Sequence, residues 1–131
     1  MHTNKKLILL SALCLFFITC TKSTLINTIN QKEATTPFEI SEKAQQYYEV
    51  REYKRAIREY SKILEIFSSK KAKYEKELAW ATYEIGFCYL VMKKYKRAFE
   101  YFDKVVKFYS APAPKKLASD RIKEINTKYV Q

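Results

Sequence analysis

Chemistry at a protein site needs a nucleophile, a base or a metal ligand, and this chain of 131 residues offers few: one histidine, His2, and three cysteines, Cys14, Cys20 and Cys88. His2 and Cys14 lie in an N-terminal stretch with a short basic start, Lys5-Lys6, and an apolar run from Leu7 to Ile18. This has the form of an export signal, and the run is shorter than a membrane span requires. Once it is removed, no imidazole remains for general-base work or metal ligation. Cys88 stands inside an apolar helical run without a base partner, where a lone thiol is a small core residue before it is a reactive one. The single glycine, Gly86, excludes a Gly-rich phosphate loop, and Glu100 and Asp103 are solvated charges on a helix face. The expectation is a non-catalytic protein with no metal and no cofactor.

Cys20 is the thiol with a chemical context. Phe17-Ile18-Thr19-Cys20 resembles a relaxed lipobox, the bacterial signal in which the cysteine is acylated and becomes the first residue. The resemblance implies a signal peptide over 1–19, a lipidated tether over 20–37 and a folded domain over 38–131. An ordinary secretory signal cut nearby, or an uncleaved anchor, is the alternative. Cleavage before Cys20 would take 19 of the 131 residues and leave 112, enough for one domain. Losing Lys5 and Lys6, with no acidic residue among the first 19, would lower the formal charge from +11 to +9. With Cys20 acylated and Cys14 gone, no intramolecular disulfide is possible. Nucleic acid is not an expected partner of an exported chain; anionic lipid head groups or an acidic protein surface are. Thr21 to Thr36 is polar and without sustained apolar periodicity. As a flexible coil it would reach about 20–25 Å from the lipid.

The lipid signal must serve something, and the rest of the chain repeats itself. Tyr-Lys-Arg-Ala occurs at 53–56 and again at 95–98, an offset of 42 residues. At that offset Tyr47 pairs with Tyr89, Ala44 with Gly86, Tyr60 with Phe102 and Ser68 with Ser110. Such a period implies stacked supersecondary units. Apolar residues at helical spacing predict five helices: about Phe38 or Ser41 to Arg51, Tyr53 to Ser68, Lys73 to Met92, Tyr95 to Tyr109, and Lys115 to Tyr129. A coiled coil is disfavoured, because the stripes do not hold a heptad across Ser68-Ser69 and Lys93-Lys94. Proline at 112 and 114 is expected to end the fourth helix. In each Tyr-Lys-Arg-Ala copy, Tyr and Ala are read as packing residues and Lys-Arg as facing water.

The second unit resembles the tetratricopeptide repeat (TPR) pattern, Trp-x2-Leu-Gly-x2-Tyr, then Ala-x3-Phe, then Pro. Its counterpart is Thr82-x2-Ile85-Gly86-x2-Tyr89, then Ala98-x3-Phe102, then Ser110. The first unit follows less closely, with Ile40-x2-Lys43-Ala44-x2-Tyr47, Ala56-x3-Tyr60 and Ser68; Lys43 replaces leucine. Eight residues beyond the usual 34 are assigned to Ser69–Lys76, as a longer helix end or a loop. The resemblance implies an all-α fold of two TPR-like helix hairpins, about 38–68 and 73–110, with a capping helix at about 115–129. It implies that Ala44, Tyr47, Ala56, Tyr60, Gly86, Tyr89, Ala98 and Phe102 pack the repeats. With the lipobox it is similar to BamD-type lipoproteins of the outer-membrane β-barrel assembly machinery. It thus implies a periplasmic, outer-membrane-anchored adaptor with a β-barrel insertase as possible partner; a TPR lipoprotein of another envelope pathway is the alternative. The BamD-type proteins are longer and dock largely through a C-terminal half that would be missing here.

Trp80, Tyr83, Phe87 and Leu90 recur at i, i+3, i+7 and i+10 on a separate face of the third helix. In TPRs this face lines the concave groove, and Phe38, Gln45 and Tyr48 of the first unit would join it. The competing reading is that the stripe packs against the fifth helix or the tether. A rival function from another class is an exposed binding lipoprotein that uses Lys70-Lys71, Lys93-Lys94 and Lys96-Arg97 for acidic ligands.

Overall fold

The structure is a computed structural model that describes residues 24–29 and 33–129. Residues 1–19 and Cys20, and with them the signal and lipidation readings, lie outside the described residues. The chain divides after Glu33 into two units. In the first, residues 24–29 are helical, a stretch that the sequence assigns to the tether. Leu25 and Ile29 stand at helical spacing, and the Thr28 hydroxyl donates to the Thr24 carbonyl at 3.1 Å.

The second unit runs through α1 (Pro37–Glu49), α2 (Tyr53–Phe67), a 3-10 turn (Ser68–Lys70), α3 (Lys71–Val91), α4 (Tyr95–Phe108) and α5 (Pro112–Tyr129). Among the described residues there is no strand. Each helix packs mainly on its sequence neighbours, and α3 also touches α1 and α5. That order makes a short all-α solenoid: two helix hairpins followed by a covering helix. α2 and α4 each bury one stripe, Ala56, Tyr60 and Ile63 in α2 and Ala98, Phe102 and Val105 in α4. α3 buries Leu78, Ala81, Thr82, Ile85, Gly86 and Cys88 around most of its circumference. A helix clothed on several sides is an interior helix, and α3 is the axis of the domain.

The 42-residue period holds at the level of single hydrogen bonds. After α1, the Glu52 amide donates to the Tyr47 carbonyl at 2.8 Å and the Arg51 amide to Tyr48 at 2.9 Å; after α3, Lys94 donates to Tyr89 at 2.9 Å and Lys93 to Leu90 at 2.9 Å. Both are Schellman turns, with the residue after the cap in the left-handed region, Arg51 at φ 62° and Lys93 at φ 59°. The turn also decides what the Tyr-Lys-Arg-Ala arginine does. Arg55 lies 5.9 Å from the Tyr47 ring centroid and Arg97 lies 5.6 Å from that of Tyr89. The expectation that Lys-Arg faces water therefore holds for Lys54, Lys96 and Arg97, which are exposed, while Arg55 is half-buried; each arginine lies over the tyrosine of the preceding helix.

Element ends differ from expectation for identifiable reasons. α1 starts at Pro37 because Thr36 caps it. The Glu39 amide donates to the Thr36 hydroxyl at 3.2 Å, and the Thr36 amide donates back to the Glu39 carboxylate at 3.0 Å. Hydrogen bonds from the backbone amides of Thr36 and Thr35, then their hydroxyls, hold the Glu39 carboxyl down at about 2. The left-handed Arg51 and Lys93 stop α1 and α3 earlier than the apolar pattern does. The residues added in the first repeat become the 3-10 turn and a longer N-terminus of α3. This end kinks at Tyr74 (φ −116°, ψ 23°), whose ring meets Phe67 edge-on at 4.8 Å. Prolines 112 and 114 do not merely end α4: they form the first turn of α5, where backbone amides lack intrahelical acceptors anyway. Pro114 is fully buried there.

Gly86 sets how closely α3 and α4 approach. A Cβ on Gly86 would lie 2.9 Å from Phe102 Cε1 and 3.1 Å from Tyr101 Cβ. Phe102 is fully buried, so its ring has nowhere to yield. Overpacking of this kind costs about 1–3 kcal/mol, while alanine in a helix recovers about 1 kcal/mol over glycine. Gly86→Ala is expected to destabilise the domain by roughly 1–2 kcal/mol in urea unfolding. Most of that loss should vanish in a Phe102→Leu background. Conversely, Lys93→Gly should stabilise by about 0.5–1 kcal/mol, because glycine removes the left-handed strain at that turn; an unchanged midpoint would show that the turn is unstrained.

Candidate functional site

α1 and α3 flank a groove at their N-terminal halves, a cavity of about 450 Å³. Phe38, Ser41, Glu42 and Gln45 line it from α1, Tyr74, Glu77, Trp80, Ala81 and Glu84 from α3, and Tyr60 reaches it from α2. The spacing explains the convergence. Both sets follow i, i+3 or i+4, i+7, one stripe on each helix. Toward the C-terminal ends the helices meet through Tyr48 and Phe87, whose ring centroids are 6.0 Å apart, and Tyr53 packs edge-on against Tyr48 at 5.3 Å.

Six of the seven residues of the expected groove separate into three pairs, and the seventh, Gln45, lines the cavity. Phe38, 71% exposed, and Trp80, partly buried, line the cavity. Tyr48 and Phe87 form the aromatic contact between α1 and α3. Tyr83 is buried in a cluster with Phe102, Val105, Ala118 and Ile125, and Leu90 packs against that cluster, as Trp80 and Phe87 also do. For Tyr83 and Leu90 the packing alternative describes the structure, since α5 covers them. Arg121 of α5 adds to the cover, 5.5 Å from the Phe87 ring centroid and paired with Glu124 at 2.7 Å. The repeat-packing set behaves differently, with Ala44, Ala56, Ala98 and Phe102 fully buried, Tyr47 and Tyr60 nearly so, and Gly86 at the α4 contact. Tyr89 is half-buried beside Tyr101, ring centroids 5.5 Å apart.

Other candidates lose their chemistry in the fold. Cys88 is fully buried, and burial pushes its thiol up to about 12, so it is not a nucleophile at neutral pH. The basic pairs are partly engaged internally. Lys71 donates to the Phe108 carbonyl at 2.6 Å, and Arg97 lies over Tyr89.

Glu84 is the functional candidate that the sequence reading did not single out. It is partly buried on the cavity wall, near Tyr48 of α1, Tyr60 of α2 and Cys88 of its own helix. Burial raises its carboxyl above 4.5, and no cation among the described residues offsets the effect. The signal was present, since Glu84 is the single acidic residue between Leu78 and Phe99. What it means depends on α1 and α2 closing around it.

Comparison with protein-family models, with curated proteins and with solved structures gives no match for this chain.

The raised carboxyl at Glu84 fixes the sign of a pH effect. The fold penalises the ionised form, so the penalty is absent below the ordinary value of 4.5 and complete above the raised folded value. Glu84→Gln is therefore expected to raise the urea midpoint at pH 7, with the difference closing as the pH falls toward 4.5. A difference independent of pH would assign the effect to packing.

Proposed function

We propose that this protein is a non-catalytic, lipid-anchored adaptor that takes a segment of a partner protein into the groove between α1 and α3. The observation that carries the reading is the cavity itself. It is concave, walled by Phe38, Tyr60, Tyr74 and Trp80, and of the size that ligand clefts have. Phe38 is 71% exposed, more than Phe108 at 63% or Ile66 at 54%, and supports the same reading. Anchoring rests on the lipobox-like Phe17-Ile18-Thr19-Cys20. Among the described residues no helix is long and apolar enough to cross a membrane.

The TPR-like spacing, together with that cysteine, supports a place in envelope assembly on the periplasmic face of the outer membrane. There a β-barrel insertase complex is the candidate partner. A two-hairpin solenoid is marginal alone, because each unit needs neighbours to cover its faces. α5 covers the second hairpin, and a partner would cover the first.

Phe38 is the clean probe, because removing an exposed ring does not disturb the core. Burying a phenylalanine contributes about 1.5–3 kcal/mol, so Phe38→Ser should weaken retention of a crosslinked insertase at least tenfold, the equivalent of about 1.4 kcal/mol. Helical circular dichroism should be unchanged. In parallel, Cys20→Ser should abolish lipid attachment, read by mass spectrometry of the purified chain. Undiminished retention by Phe38→Ser would remove the groove from the function, and an unlipidated wild-type chain would remove the anchor.

A further inference from the structure

The charge of the groove is opposite to the charge of the chain. The protein carries a formal +11, yet the ionisable lining of the cavity is Glu42, Glu77 and Glu84 against one cation, Lys76, apart from tyrosine hydroxyls. Several carboxylates elsewhere in the domain are held by the fold. Glu59 is paired with Lys62 at 2.8 Å, Asp103 with Lys107 at 2.7 Å, and Glu124 with Arg121 at 2.7 Å and Lys128 at 3.2 Å. Glu75 accepts from the Ser110 amide and hydroxyl at 2.7 and 2.6 Å.

Glu84 differs from all of these. It lies on an apolar wall with tyrosines and a thiol as neighbours, and burial disfavours its charge without compensation. A partly desolvated carboxylate gains most from a cation that brings its own apolar covering, because pairing then removes a penalty that water no longer relieves. The surrounding rings suit the same guest. Aromatic faces attract a lysine or arginine head and accept its methylene stem, and this cavity has four such side chains.

We propose that the occupant of the groove is a partner segment that inserts a lysine or arginine, flanked by apolar side chains, to pair with Glu84 between Phe38 and Trp80. The inference rests on the adaptor reading and makes it specific, by giving the chemistry of the recognised segment. It also sets the selectivity: segments bearing a carboxylate at that position are rejected by Glu84.

A random peptide display library panned on the full-length protein in detergent tests the proposal, with Glu84→Gln and Phe38→Ser panned alongside. Sequences enriched on the wild-type protein are expected to carry lysine or arginine between apolar residues. The best of them should lose at least tenfold in affinity for Glu84→Gln, and a comparable amount when its cation is replaced by norleucine. Glu84→Gln is nearly isosteric, and its helical circular dichroism checks that the fold is retained. Apolar sequences that need Phe38 but show no cation preference, or keep one undiminished in Glu84→Gln, would overturn the cation assignment and leave the groove standing. Failure to enrich any sequence that depends on Phe38 would overturn both. Concentration-dependent dimerisation abolished by Phe38→Ser would make a second copy the occupant, and would equally overturn a partner segment.

Discussion

The contact of the Phe102 ring with the bare backbone of Gly86 sets the geometry on which the rest of the domain depends. It brings α4 onto the axis helix α3 at a distance that no side chain at position 86 permits. From there a chain of rings fixes the neighbouring layers: Phe102 meets Tyr83 at 5.4 Å, Tyr83 stacks on Phe87 at 6.2 Å, and Phe87 reaches Tyr48 of α1 at 6.0 Å. α5 then closes over Tyr83 through Ala118 and Ile125. Because α3 is held by α4 and α5, Trp80, which packs against their cluster, and Glu84 are presented to the cavity beside α1 at a defined place. The groove is thus a consequence of packing elsewhere, as expected where a close-packed interior transmits position rigidly.

Duplication supplies the scaffold, and divergence supplies the site. At the repeat offset, Phe38 corresponds to Trp80, Ser41 to Tyr83, Glu42 to Glu84 and Gln45 to Phe87. The backbone of the two hairpins is equivalent down to the left-handed residue of each turn and the arginine lying over a tyrosine. Of the second set, Tyr83 is buried under α5 while Trp80 and Glu84 line the cavity. The smaller, more polar first set lines the same cavity from α1. The two units differ because only the second is followed by a covering helix.

Most of the fold was readable without coordinates. The five helices follow from 3.6-residue periodicity interrupted at the right places, and the 42-residue period organises them into equivalent pairs. Errors at the ends came from chemistry finer than periodicity. Thr36-Pro37-Phe38-Glu39 spells a capping box that starts α1 earlier than its apolar stripe does, and the two left-handed turns stop α1 and α3 short. Prolines 112 and 114 carry both a stop and a start signal, because the residue before a proline is disfavoured as helix while a first-turn proline is not.

The candidate site was legible only in part. Sequence spacing put Trp80, Tyr83, Phe87 and Leu90 on one face, but a face is not yet an environment. Whether a stripe is buried depends on α5, some thirty or more residues further along, and on contacts that local periodicity does not encode. Phe38 and Trp80 remained in the cleft while Tyr83 and Leu90 went under α5. Glu84 looked like one more charge on a basic, charged chain until α1 and α2 enclosed it. The sequence alone determined the helices, their duplication and the small residues that let them cross, since each is set by residues near one another in the chain. Tertiary structure decided which apolar stripe became core, which became cleft, and which carboxylate was left without a cation, because burial is a property of the elements that meet.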